Sequence, residues 1–297
     1  GWAGGLAGGG VLDQSGSGNL VFTGGVTATA WGPKTLTLQG SSSGTGEISG
    51  TIVDSGSGAT SISKAGTGKW TLSGVNTYSG GTRLSQGTLV LGSASALGTG
   101  SLTISTGVTL DVSIPLILPA LAQIWNGDFT FLGSNSLVAT SGATTLTANT
   151  TLTVAGGSLT VANISGSYAL NKAGAGTLIL SGMNSFTGTM NVTGGTLVIN
   201  GSSALPAGVT INASEGTTVL LQNNAPLPAF TGAGTLVFAP GTPAWVGLSD
   251  YSGNSGIVLS GSSSLTKTGS GAVDLTALSA YTGKTWIQSG ILGIFNL

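Results

Sequence analysis

The sequence predicts an all-β protein, a right-handed parallel β-solenoid (β-helix) wound as a single elongated rod. Three observations carry that expectation. A 26-residue frame recurs three times without a gap, short alternating stretches of apolar and hydroxyl residues fill the space between the copies, and glycine punctuates the chain at 54 of 297 positions. A fixed frame of this kind marks a structural unit that cannot bury its apolar face alone and must stack on its neighbours.

The first copy reads Lys64, Gly66, Gly68, Leu72, Gly74, Asn76, Tyr78, Gly80, Gly87, Leu89. At identical spacing the second reads Lys172, Gly174, Gly176, Leu180, Gly182, Asn184, Phe186, Gly188, Gly195, Leu197. The third reads Lys267, Gly269, Gly271, Leu275, Ala277, Ser279, Tyr281, Gly283, Gly290, Leu292. The frames start 108 and 95 residues apart (64 to 172 to 267), so the intervening coils differ in length.

Between the copies the pattern has period two, as in Leu102 and Ile104, Val108, Leu110 and Val112, Leu152 and Val154, or Leu159 and Val161. Their alternating neighbours are mostly Thr, Ser or Asn, the mark of short strands with one dry and one wet face. Glycine pairs and Ser/Gly clusters such as Gly80-Gly81, Gly156-Gly157 and Ser260 to Ser264 separate them and supply corners. No segment holds a helical apolar stripe. A sandwich or an antiparallel barrel also uses many short strands. The solenoid is preferred because the frame sets the same residue types at the same corner of successive coils. Coils of roughly 20–25 residues give about 12–15 rungs and a rod about 60–70 Å long. One domain, 1–297, is expected, with repeat units near 62–92, 170–200 and 265–295.

Charged residues make up 5% of the chain, seven Lys/Arg against eight Asp/Glu. There is no basic stripe to neutralise phosphates, so nucleic acid is excluded as a partner. Cysteine and histidine are absent, which removes disulfides, thiolate metal sites and a Ser-His-Asp arrangement. Disorder needs low hydrophobicity and high net charge, the reverse of this chain. The longest apolar run, Ile114 to Ala122, is broken by Pro115 and Pro119 and falls short of the roughly 20 residues of a membrane span.

The three frames resemble the passenger-associated transport repeat, also called the autotransporter-associated β-strand repeat. Its pattern runs Lys-x-Gly-x-Gly, Leu-x-Gly-x-Asn-x-Tyr-x-Gly-Gly-Thr and Gly-Thr-Leu-x-Leu-Gly. The first copy carries it from Lys64 to Gly92, with Gly80-Gly81-Thr82 and Gly87-Thr88-Leu89; the second has Thr189 for the second glycine of the pair; the third has Ala277, Ser279 and Ile291 at departures. Gln123, Trp125, Gly127, Asp128, Phe129, Phe131 and Gly133 look like the spacer between copies. The resemblance implies a bacterial cell-surface or extracellular protein with a parallel β-helix, and such proteins commonly end in a membrane β-barrel. No ten-residue alternating strands with aromatic girdles are recognisable here.

The acids Asp13, Glu47, Asp54, Asp111, Asp128, Glu215, Asp250 and Asp274 are scattered and read as isolated surface groups. Neither catalytic residues, nor a cofactor, nor a metal site is expected. Lys64, Lys172 and Lys267 read as solvating a strand start. Tyr78, Phe186 and Tyr281 read as stacked over a loop beside Asn76 and Asn184, and Trp31, Trp70, Trp125, Trp245 and Trp286 as packing residues that would form a carbohydrate platform if exposed.

The expected function is therefore structural: a filament or surface appendage built by head-to-tail stacking of solenoid subunits, with no enzymatic activity. Trp2, Leu6, Ile291, Leu292, Ile294, Phe295 and Leu297 are the candidate self-assembly residues, the last strand pairing with the first coil of the next copy. The partner is then a second copy of the chain. The alternative is an autotransporter passenger acting as an adhesin or glycan-binding module, with surface glycans as partner. Low charge predicts little change with salt, or between about pH 4 and 9.

Overall fold

The computed structural model describes residues 8–28, 31–41, 43–56, 58–223, 225, 229–238, 246–248, 256–261, 265–267, 272–275, 280–281 and 284–294. Among them every regular element is a β-strand, none is helical, and the strands pair in parallel, with a lone antiparallel bridge between Ser55 and Gly58. The fold is a parallel β-solenoid. Two compact units divide the chain, Gly1–Leu159 and Thr160–Leu297.

In the first unit one sheet stacks Gly8–Asp13, Lys34–Gln39, Thr60–Lys64, Thr82–Leu84, Leu102–Ile104, Gln123–Trp125 and Thr144–Leu146 in that order. A second stacks Leu20–Phe22, Thr45–Ile48, Lys69–Leu72, Thr88–Leu91, Val108–Val112, Phe129–Phe131 and Thr150–Val154. A third face opens with Leu116–Ile117 on Leu137–Ala139. In the second unit Leu170–Ala173, Thr189–Val192, Thr210–Ala213 and Ala229–Gly232 form one ladder. Thr177–Ser181, Thr196–Asn200, Thr218–Gln222, Thr235–Phe238 and Gly256–Gly261 form another. One turn takes 26 residues where Lys34 meets Thr60 and 17 where Thr218 meets Thr235, a wider spread than the 20–25 expected.

Period-two alternation fixes which side chains enter the coil, because a one-residue slip would expose every apolar group. The inward column of the second sheet runs Trp70–Leu89–Leu110–Phe131–Val154, with Leu72–Leu91–Val112 beside it, all buried. The coil above Trp70 contributes Gly46, where a Cβ would lie 2.4 Å from the indole ring, so the absent side chain makes the space for the ring. On the wet face like stacks on like: Thr88, Thr109, Thr130 and Thr153 in the first unit, Thr177, Thr196, Thr218 and Thr235 in the second.

If this alternation holds the coils together, Leu72→Ala lowers unfolding free energy by about 2–5 kcal/mol, whereas Thr71→Ala stays within about 0.5 kcal/mol. Urea denaturation followed by circular dichroism measures both, and equal losses would contradict the assigned faces.

Candidate functional site

The motif lysine sits inside the wall. Lys64 occupies an inward column, Leu38–Lys64–Leu84–Ile104–Trp125–Leu146, and is 0% exposed. Its Nζ donates to the carbonyls of Ala65 (3.0 Å) and Gly66 (2.8 Å) in its own coil and of Gln86 (3.0 Å) one coil on. Lys172 repeats this at Ala173 (3.0 Å), Gly174 (2.7 Å) and Gly194 (2.9 Å), and is likewise 0% exposed. This corrects the expectation that these lysines solvate a strand start. The chain turns at Gly66 with φ 69°, which leaves its carbonyls without ladder partners, and an ammonium has three donors to give them. Lys267 lies in the strand Leu265–Lys267, and its side chain falls outside the described residues.

The motif asparagine joins three successive coils. Asn76 Oδ1 accepts from the N–H of Ile52 (2.8 Å) and Nδ2 donates to the carbonyl of Ala96 (2.7 Å). Asn184 does the same with Ile164 (2.8 Å) and Ala204 (2.6 Å). Tyr78 and Phe186 are buried beside them, as expected, and the Tyr78 hydroxyl meets Thr82 Oγ1 at 2.5 Å. Burial pushes that phenol well above its ordinary range.

Four of the acids, Glu47, Asp54, Asp111 and Asp128, are not isolated, whereas Glu215 is exposed and Asp250 and the Asp274 side chain lie outside the described residues. Asp54 takes the N–H of Thr60 (2.8 Å) together with the N–H (2.9 Å) and hydroxyl (2.7 Å) of Ser79 one coil on. Burial alone would raise its pKa, but these three donors outweigh it and hold the carboxyl below its usual range. Buried Asp111 accepts from the N–H and hydroxyl of Ser134, Asp128 from the N–H of Thr151, and Glu47 from the Ser73 hydroxyl. Solenoid geometry explains the correction, since a residue 23–26 positions on is a spatial neighbour. Among the described residues no group of three acids could hold a metal ion.

Trp70 and Trp125 are buried, Trp70 donating to the carbonyl of Gln39 (2.9 Å) and Trp125 meeting Phe129 edge-on at 5.0 Å. Trp31 is 73% exposed and Trp286 partly so; Trp245 lies outside the described residues, as do Trp2, Leu6, Phe295 and Leu297. Of the candidate assembly residues, Ile291, Leu292 and Ile294 lie in the strand Ile291–Ile294, paired in parallel with Ala272–Leu275, and Ile291 is 66% exposed. Sequence analysis singled out neither buried Lys34, whose Nζ meets the Trp31 carbonyl at 2.5 Å, nor exposed Arg83. For Arg83 the signal was available: it is the sole arginine of the chain. No described helix is long and apolar enough to cross a membrane.

Burial lowers both motif ammonium groups from 10.5 to about 8. They stay protonated at neutral pH, as three carbonyl acceptors require. Between about 8 and 10.5 the unfolded chain binds more protons than the folded one, so stability is flat below about 8 and rises above it. Urea midpoints across pH 7–11 should show this rise, and the double variant Lys64→Met/Lys172→Met should abolish it. Each of the two substitutions should also lose about 1–3 kcal/mol per buried carbonyl left without a donor. A midpoint that falls from pH 8 to 10 would refute the lowered pKa, since the folded chain would then hold its protons more tightly than the unfolded one.

Over 156 residues, 51% of its length, the chain is 30% identical to the adhesin BmaC autotransporter of Brucella suis biovar 1 (strain 1330), and the match spans 4% of that relative. No solved structure matches the chain. The family described as passenger-associated-transport-repeat matches residues 62–91, 170–199 and 265–294. The chain therefore carries three segments that match the passenger-associated transport repeat, and in the first two the lysine and the asparagine hold one coil to the next.

Proposed function

We propose that this chain is part of the passenger of an autotransporter adhesin, a non-enzymatic solenoid that presents its outward faces to a surface target. The three repeats and the similarity to an autotransporter adhesin support the reading, and both point to the bacterial cell surface or the extracellular space. The observation that carries the non-enzymatic part is where the chemistry-bearing groups go. Asp13, Glu47, Asp54, Asp111 and Asp128 each accept hydrogen bonds from nearby or next-coil groups, and Lys64 and Lys172 are spent on carbonyls. The partners of these carboxylates are hydroxyl, amide and backbone N–H donors, whereas acid–base hydrolysis of a sugar works through a pair of carboxyl groups.

Displayed on a non-adherent bacterium, the chain should raise attachment to host-cell monolayers several-fold over an empty display scaffold. Unchanged attachment, or hydrolysis of a polysaccharide by the purified chain, would remove this reading.

A second proposal is the head-to-tail filament through Trp2, Leu6, Ile291, Leu292, Ile294, Phe295 and Leu297. The 66% exposure of Ile291 on a strand that pairs along its length supports it. Negative-stain electron microscopy should then show fibres that disappear when 291–297 are deleted; single particles from the intact chain would dismiss it.

A further inference from the structure

On the outer face of the first sheet a row of side chains is interrupted at Gly81. Register aligns Ser63, Arg83 and Thr103 in one row on successive coils. The adjoining row runs through Gly9, Thr35 and Ser61, and its next member, before Ser101, is Gly81. A side chain is missing there, so two strand spacings, roughly 9.6 Å, separate Ser61 from Ser101. The result is an open cleft of about 300 Å³ whose lining includes Gly80, Gly81, Ser61, Arg83, Ser101 and Thr103.

The gap cannot be filled cheaply. Gly81 has φ 83°, and a Cβ there would lie 2.7 Å from the Ser101 carbonyl oxygen, while one on Gly80 would lie 2.3 Å from Ser61 Oγ. Arg83 is exposed, and its Nε donates to Ser85 Oγ at 3.1 Å. No carboxylate of the described residues pairs with it. Asp54, at the neighbouring corner, is occupied by Thr60 and Ser79. A guanidinium carries five N–H donors in a planar fork, so its outer edge is available for a bidentate oxyanion.

The second repeat differs at this place. In the second, Thr189 stands where Gly81 is, and Asn191 stands where Arg83 is. Asn191 is tied into a ladder, receiving from Asn212 Nδ2 at 3.0 Å and donating to Asn171 Oδ1 at 3.0 Å. The repeat architecture therefore does not require the opening.

We propose that this cleft binds a carboxylate-bearing sugar, with Arg83 clasping the carboxylate, the hydroxyls of Ser61, Ser101 and Thr103 bonding ring hydroxyls, and the glycine pair admitting the ring. The proposal rests on the adhesin reading and names the ligand class of one site. Its volume lies at the low end of ligand pockets, roughly 300–1,000 Å³, so it takes one ring rather than a chain.

Calorimetric titration of the chain with 3′-sialyllactose, lactose and a sulfated heparin disaccharide tests it. Sialyllactose should bind at least ten-fold more tightly than the other two, and Arg83→Gln should weaken it ten-fold or more. Thr103→Val should weaken it less, and Asn191→Ala should leave it unchanged. Equal binding by Arg83→Gln, equal or tighter binding of lactose or the sulfated sugar, or no heat with sialyllactose overturns the proposal. Attachment of display cells carrying the unaltered chain separates the two readings: attachment by a chain that gives no heat with sialyllactose overturns the cleft alone and leaves the adhesin function standing.

Discussion

A coil that bends several times per turn strands backbone carbonyls at every bend, and burying them without donors would cost about 1–3 kcal/mol each. This chain meets that constraint with a buried ammonium. Lys64 and Lys172 each enter the wall at a core position and spread three N–H bonds over a glycine corner and the coil that follows. Charge inside an apolar wall is tolerated because every donor is used and because the acceptors are carbonyl dipoles held by the ladder itself. An arginine could not do this: its planar fork suits a carboxylate, whereas three carbonyls converging on a point suit a compact ammonium.

The asparagine corner follows the same logic with a neutral group. Asn76 and Asn184 each offer one acceptor to the coil before and donors to the coil after, so one side chain replaces two missing ladder bonds. Acids on the wet face extend it outward, with Asp54, Asp111 and Asp128 each taking a backbone N–H of the next coil. Coil-to-coil cohesion thus comes from three chemically different clips laid over a common apolar column, and few of them involve ion pairs that salt could screen.

The strands and their faces were legible in the sequence because period two and positive-φ glycines are local signals. The like-on-like stacking of threonines followed from the repeat frame. Lys64 was misread because isolated lysines are surface groups in most chains, and nothing local shows that its carbonyl partners come from Gln86, 22 residues away. The acids were misread for the same reason: Asp111 finds Ser134 only after a full turn is wound. Arg83 escaped notice since its cleft is defined by an absence, the missing side chain of Gly81, between rows whose register only the coil length sets. In the second unit a single asparagine letter hides a ladder for the same reason.

The division of labour between inside and outside explains where such a chain can acquire function. Inward positions are constrained by the columns, and the corner positions by the clips, so the lysine and asparagine positions of the first two repeats hold identical groups. The outward position two residues beyond the Gly-Gly site is under no such constraint: it is Arg83 in the first repeat, Asn191 in the second and Trp286 in the third. These three side chains differ in charge, size and polarity, while each is presented by a strand of a parallel ladder. A scaffold that fixes its interior so completely leaves recognition to whatever stands on its wet face, and a cationic, an amide and an aromatic group there are three different binding chemistries on one frame.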